Sequence, residues 1–372
     1  MGRVMIEKTI LFYINTISRG GAQRVIVQLA RHFAEAGYRS ILVTSFIGSE
    51  EYDLPDNVER ISIEKEQVIQ SRLARNISRI HALREICKKE KPQIVISFMA
   101  EPNFRAVLAT AGLRLKTIVS VRNDPAREYA GKLGRIVGKI ILPKASGCVF
   151  QTQQAKQWFP KSLQKKSEVI YNDVAEHFFE TDWIGGKDIV TIGRLCEQKN
   201  QKLLIEAFSS IADRYPNNRL LIYGIGKLEE ELQTLIKKLS LNDRVVLMGL
   251  TERPQDVLRE AGIFVLSSDY EGMPNVLMEA LAVGVPCIAT DCPCGGVGQL
   301  IEDRVNGLLI PVGNKNKMEA ALELILSDHV FAEKIGKEAK SRAIKYRPEI
   351  VFGEWKYYVE KVMERNEFKR RH

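Results

Sequence analysis

A chain of 372 residues exceeds what one ordinary hydrophobic core organises and points to two domains of roughly 150–200 residues each. With 45% hydrophobic and 27% charged residues it reads as a soluble globular protein, which excludes a disordered chain, and no stretch approaches the ~18 uninterrupted apolar residues of a membrane span. The net charge of +9 is uneven: residues 71–173 hold 20 Lys/Arg against 7 Asp/Glu, so an anionic partner is expected on one half only. Nucleic acid, anionic lipid headgroups and pyrophosphates all satisfy that charge. The six cysteines show no paired spacing, and Cys287, Cys292 and Cys294 have no histidine nearby. Reduced thiols, no disulfide framework and no metal or other cofactor are expected. The early apolar run "TILFYINTI" is too short to cross a bilayer and no small-residue cleavage site follows it. The expected location is cytoplasmic.

Strand-like and helix-like segments alternate along the first half. "KTILFYIN" (8–15) ends at a Gly-Gly turn, and "AQRVIVQLARHFAEAG" follows with helical period and a glycine stop. Further strands are expected at 40–46, 92–99, 116–121, 145–152 and 167–173, with a basic helix over about 71–90. The second half repeats the pattern, with strands at 188–195, 219–226, 245–249, 263–268, 286–290 and 307–312. Continuous apolar strands separated by helices need cover on both faces, so each half is expected to be a doubly wound, Rossmann-like α/β domain. The expected division is 1–175, 176–350 and a helical C-terminal segment 351–372 packing back toward the first domain, with a linker near 174–187. Ligands are expected at the carboxyl ends of the strands, in the cleft between the domains.

Three strand exits carry chemistry. Gly20 and Gly21 stand between a strand and a helix start, where backbone amides can receive a phosphate. Their spacing is not that of the G-x-G-x-x-G dinucleotide fingerprint. In "IGRLCEQKN" (192–200), Arg194 and Lys199 follow a strand and suit a diphosphate, the guanidinium by its fork and the ammonium as a point charge. "YEGMPNVLMEAL" (270–281) places Glu271 before a helix and Glu279 inside it, with Pro274 fitting the first turn. Amides around Gly272, Met273, Pro274 and Asn275 can meet a phosphate or a sugar hydroxyl. Glu279, the only charged side chain between Gly272 and Ala289, can accept two hydroxyl hydrogens from a ribose diol. A cationic pair, a helix N-terminus and two carboxylates together describe a nucleotide-sugar site. No Asp-x-Asp occurs, so Arg194 and Lys199 would neutralise the diphosphate in place of a metal.

At these residues the chain resembles glycosyltransferase family 4, of GT-B fold, over nearly its full length. The likeness is carried by "GRL…QKN" (193–200), "YGIGKLEEEL" (223–232), "SSDYEGMPNVLMEALAVGVPCIATD" (267–291), "NGLLIPVGN" (306–314) and "SRGGAQRV" (18–25). The resemblance implies that Gly20 and Gly21 face the donor phosphates, and that Gly193 and Gly224 belong to the donor site. It also implies that Arg194 and Lys199 hold the diphosphate, Glu279 the ribose, and Glu271 with the 272–275 backbone the transferred sugar. Glu271, Arg194 and Lys199 are then the catalytic group of a retaining transferase using a UDP-sugar. Where many relatives carry a histidine, this chain has Arg122-Asn123-Asp124, and "RNDP" resembles bacterial surface-polysaccharide members. Arg122 stays protonated and cannot serve as a base. Its expected part is to orient the acceptor or bind its diphosphate, with Asp124 on a sugar hydroxyl.

Arg72, Arg75 and Arg79 recur at spacings of three and four and are expected on one helix face, offset from Ile77, Ile80, Leu83 and Ile86. Such a helix, with "GKLGRIVGKIILPKAS" (131–146), suits an anionic membrane surface, and the resemblance implies a polyprenyl-diphosphate-linked or oligosaccharide acceptor at the inner face of the membrane. Rival readings are a nucleotide-sugar epimerase on the same fold, a silent scaffold subunit, and a basic nucleic-acid binder. The last lacks the aromatic-interleaved patch of single-strand binding, so no nucleic-acid partner is expected.

Overall fold

Apolar runs bounded by helices form two separate parallel sheets in the computed structural model, which describes residues 8–18, 20–64 and 71–365. The first sheet comprises β1 (Thr9–Ile14), β2 (Arg39–Phe46), β3 (Val58–Glu64), β4 (Ile94–Phe98), β5 (Lys116–Val121), β6 (Gly147–Phe150) and β7 (Ser167–Val169). Their order is β3-β2-β1-β4-β5-β6-β7, every pair parallel. The second sheet comprises β8 (Ile189–Ile192), β9 (Leu220–Tyr223), β10 (Val245–Gly249), β11 (Ile263–Leu266), β12 (Cys287–Thr290) and β13 (Leu308–Ile310). Its order is β10-β9-β8-β11-β12-β13, again parallel throughout. Strand order reverses between β1 and β4 in one sheet and between β8 and β11 in the other. Both sheets are therefore doubly wound, as the alternation of the sequence predicts.

β3 is the strand that the sequence reading did not anticipate. Its segment "VERISIE" carries Glu59 and Arg60 exposed, because it closes one edge of the sheet, where charged side chains discourage further pairing. Polar edges blur the apolar signal that marks an interior strand.

The first unit takes in residues up to Tyr171 and, again, from Val351. Its helices include α1 (Gly21–Glu35), α2 (Arg72–Glu90), α3 (Ala100–Thr110), α4 (Pro125–Glu128) and α5 (Gly131–Ile136), the last running into a π-helical turn over Val137–Ile141. The C-terminal helix Pro348–Glu364 lays Val351, Trp355, Tyr358, Val359 and Val362 into the core of this unit. Trp355 stacks on Phe98 at 5.8 Å, and the Tyr358 hydroxyl accepts from Cys148 N (2.8 Å) and donates to Lys166 O (2.6 Å).

The second unit spans Asn172–Ile350. The segment expected to be a linker, 174–187, is packed structure within it. Val174 N donates to Tyr346 O (2.9 Å), Trp183 Nε1 to Ala261 O (2.6 Å), and Phe178 and Phe179 are buried. Its polar and Gly-rich composition hid two aromatic anchors, and the chain crosses between units nearer Tyr171 and Ile350.

Candidate active site

The exits of β8 and β11 lie side by side where the strand order of the second unit reverses, the position at which open doubly wound sheets receive ligands. β8 leads through Gly193 and Arg194 into a 3-10 turn, Glu197–Lys199. β11 leads through Ser267 and Ser268 to Glu271 and then the helix Asn275–Val283. Lys199 Nζ donates to Glu271 Oε1 at 2.6 Å, with both side chains largely buried. Ser268 Oγ donates to the same oxygen (2.8 Å), and Gln198 Nε2 reaches Glu271 Oε2 (3.3 Å) and Tyr270 O (2.9 Å). Asn200 Nδ2 donates to Asp269 Oδ1 (2.8 Å) and Ser267 Oγ to Lys199 O (2.9 Å), lacing the two exits together. A buried carboxylate is tolerable here because three donors meet it.

Glu279 is the fifth residue of the helix Asn275–Val283 and only 5% exposed, among buried Leu277, Met278, Ala280, Leu281, Ala282 and Val283. Pro274 caps that helix from just outside its first turn, one position earlier than expected. Gly272, Met273 and Pro274 are buried and Asn275 is half-buried. Arg194 lies exposed, its carbonyl receiving Gln201 Nε2 at 2.9 Å. Two glycines set the spacing. Gly224 has φ 137°, and a Cβ there would stand 2.0 Å from Gly193 O. A Cβ on Gly296 would stand 1.6 Å from Gly272 O, so the "CGGVG" segment presses backbone to backbone on the loop that follows Glu271.

In the first unit Gly20 caps α1 and Gly21 is its first residue, giving a helix N-terminus that can receive an anion. Arg122 is buried, its guanidinium 4.4 Å from the Phe98 ring centroid and its Nη1 donating to Ser120 Oγ at 3.3 Å. Asn123 Oδ1 accepts from Asp124 N, and Asp124 Oδ1 accepts from Ala126 N to cap α4, each at 2.9 Å.

The structure corrects the arginine face of α2. Arg79 is 2% exposed, and its Nε and Nη2 donate to Glu64 Oε1 (2.8 Å) and Oε2 (2.7 Å). It belongs to the buried stripe Arg79, Leu83, Cys87, while Ile77, assigned to the apolar face, is 59% exposed. Spacing locates a face but not the carboxylate that a neighbouring strand brings to it. Arg72 is exposed and pairs with Glu101 (2.9 Å), and Arg75 is half-buried.

Sequence reasoning also missed two groups. Arg105, 1% exposed, donates to Asn15 Oδ1 (2.6 Å), Asn76 Oδ1 (2.7 Å) and Glu101 Oε2 (2.7 Å) where β1 and β4 diverge. A lone arginine in the apolar helix "NFRAVLAT" was the available signal. Glu128, at the end of α4, accepts from Ala100 N at 2.9 Å. Burial pushes its carboxyl up to about 7 against the Ala100 hydrogen bond and the nearby Arg122.

Two doubly wound sheets, with a cation–carboxylate network at a strand-order reversal, define an α/β protein whose charged side chains stand where such sheets receive ligands. Residues 19–175 match Glycosyltransferase Family 4 and residues 173–342 match Glycosyl transferases group 1, so the chain belongs to the glycosyltransferases of this two-part family. It is 31% identical over 245 residues to an uncharacterized glycosyltransferase of Methanocaldococcus jannaschii, a match covering 59% of this chain and 60% of that one. Over 93% of its length and 96% of the relative's it is 26% identical to a Campylobacter jejuni enzyme, the GalNAc-alpha-(1->4)-GalNAc-alpha-(1->3)-diNAcBac-PP-undecaprenol alpha-1,4-N-acetyl-D-galactosaminyltransferase. Its fold is that of Anabaena HepE, solved in complex with UDP and glucose (TM-score 0.81, 17% identity, covering 95% of this chain and 100% of that one). The protein is an enzyme of GT-B fold. Among the described residues, no helix is long and apolar enough to cross a membrane, and no group of three or more His, Cys, Asp and Glu could hold a metal ion.

Proposed function

We propose that the protein is a retaining transferase moving a hexose or N-acetylhexosamine from a UDP-sugar to a polyprenyl-diphosphate-linked bacterial glycan at the inner face of the cell membrane. The observation carrying this reading is the Lys199–Glu271 pair at the β8/β11 reversal, with Glu279 buried one turn into the helix that follows. An incoming diphosphate offers Lys199 a stronger anion than one carboxylate. Lys199 then exchanges Glu271 for phosphate oxygens, and Glu271 is released to a hydroxyl of the transferred sugar. Arg194 adds a second cation to the leaving diphosphate, whose developing charge is what the site must stabilise. Glu279 grips the ribose diol, and the Gly272–Asn275 backbone holds the sugar.

The acceptor half of the proposal draws on the Campylobacter relative, whose name carries an undecaprenol-PP substrate. Arg122 would meet the acceptor diphosphate and Asp124 a sugar hydroxyl. A membrane-facing surface is supported by α5 and its π-helical continuation, where Leu133, Ile136 and Ile140 are exposed beside Lys132, Arg135 and Lys139.

A donor panel with membrane lipid extract as acceptor, the product anomer read by NMR, tests the reaction. An α-linked product from an α-linked donor is expected, and a β-linked one overturns retention. Donor incubated without acceptor should stay intact; rapid conversion to a new sugar nucleotide would favour an epimerase. Glu279→Ala removes two charged hydrogen bonds and should lower kcat/KM for the donor by about 100-fold or more. Unchanged transfer would remove Glu279 from the donor site.

A further inference from the structure

Glu128 sits in a costly arrangement. Its Oε1 accepts from Ala100 N at 2.9 Å, while Oε2 is sealed from solvent with no hydrogen-bond partner. Unpartnered buried carboxyl oxygens are expensive and rare. The residue before Ala100 is Met99, with φ 76° and ψ 158°, a region of backbone space that is essentially glycine's alone. Met99 N donates to Ser120 O at 3.2 Å, so the strained turn is bound to β5 on one side and to Glu128 through Ala100 on the other. Strain and a partly unsatisfied buried carboxyl thus coincide at the carboxyl ends of β4 and β5, where Arg122 and Asp124 also stand.

The charged groups acting on the Glu128 carboxyl are Arg122 and Asp124 of the β5–α4 loop, and it acts in turn on the adjacent Tyr129 hydroxyl. Helix α3 contributes the Ala100 amide. With Glu128 protonated, the trio of Arg122, Asp124 and Glu128 is neutral. With Glu128 ionised, it carries one net negative charge and Arg122 is partly neutralised. We propose that Glu128 is a positioning residue of the acceptor site, its charge setting how strongly Arg122 attracts an acceptor diphosphate. This rests on the acceptor role proposed above for Arg122. Burial holds the Glu128 carboxyl up to about 7, so the charge changes within the physiological range.

The test uses farnesyl diphosphate as a short polyprenyl diphosphate, with saturating UDP filling the donor site, by calorimetry at about pH 6 and about pH 8. Glu128→Gln is isosteric and keeps an acceptor for Ala100 N, so the fold is retained. The ligand's own ionisation is common to both proteins and cancels in their affinity ratio. That ratio should be near unity at the lower pH and about fivefold in favour of Glu128→Gln at the higher. A ratio that does not change with pH, as a purely structural role requires, overturns the inference. Arg122→Ala is the control: if it binds as tightly as the wild type at the lower pH, the acceptor role of Arg122 fails. If it binds more weakly while the Glu128 ratio stays constant, only the Glu128 inference fails.

Discussion

Glu271 and Glu128 are both buried acids, and their surroundings give them opposite characters. Glu271 is met by Lys199, Ser268 and Gln198, while Glu128 has one amide donor and a sealed second oxygen. In the folded protein Glu128 keeps its proton up to about 7, against 4.5 for the free side chain. Between those values the folded state binds more protons than the unfolded chain, so stability falls as pH rises. The contribution is fully present below the lower value and gone above the upper, at most about 3 kcal/mol. Glu128→Gln does not titrate. Its unfolding free energy relative to wild type should therefore rise between about pH 5 and about pH 8, as measured in urea. A constant difference would mean that the Glu128 carboxyl ionises in the ordinary carboxylate range.

Whole elements were legible where their apolar pattern is uninterrupted. "RLLIYGIG" and "IFVLSS" can be read as strands because β9 and β11 are covered on both faces. β3 escaped because it is half exposed, and Arg79 was placed on the basic face of α2 because its carboxylate partner comes from β3, whereas Ile80, Leu83 and Ile86 do pack on the core as expected. The C-terminal helix Pro348–Glu364 shows what an element can contribute far from its neighbours in sequence. Trp355, 1% exposed, stacks on Phe98, and Tyr38 donates to Glu360 at 2.6 Å. Trp355→Ala should cost about 3–5 kcal/mol and lower the melting temperature, as seen by circular dichroism. A change within experimental error would mean that this helix is not part of the first unit's core.

At the scale of the molecule, the net charge of +9 arises from the excess of Lys/Arg in residues 71–173, and several of those cations are paired internally. Arg79 and Arg105 are consumed by Glu64, Glu101 and amide oxygens, which leaves the exposed Lys132, Arg135 and Lys139 as the cations that the proposed lipid-facing surface would use. Vesicles containing anionic lipid should bind the protein in flotation assays, with affinity falling as salt rises. Replacing Leu133, Ile136 and Ile140 together by serine should abolish that binding without lowering thermal stability, because all three are exposed. Retained binding would show that these three residues do not make the proposed contact.

By itself the sequence determined the two-domain α/β class and the motif on which the proposed donor site rests. Both are written locally, in strand-length apolar runs and in residues such as Glu271 and Glu279 that lie within one loop and helix. Only the tertiary structure decided which charges are spent and which remain. It paired Lys199 with Glu271 across 72 positions, drew Arg79 out of the basic face, and set Glu128 beneath the strained Met99 turn. The reason is physical: the cost of a buried charge depends on the partners that distant strands deliver, and no local spacing records them.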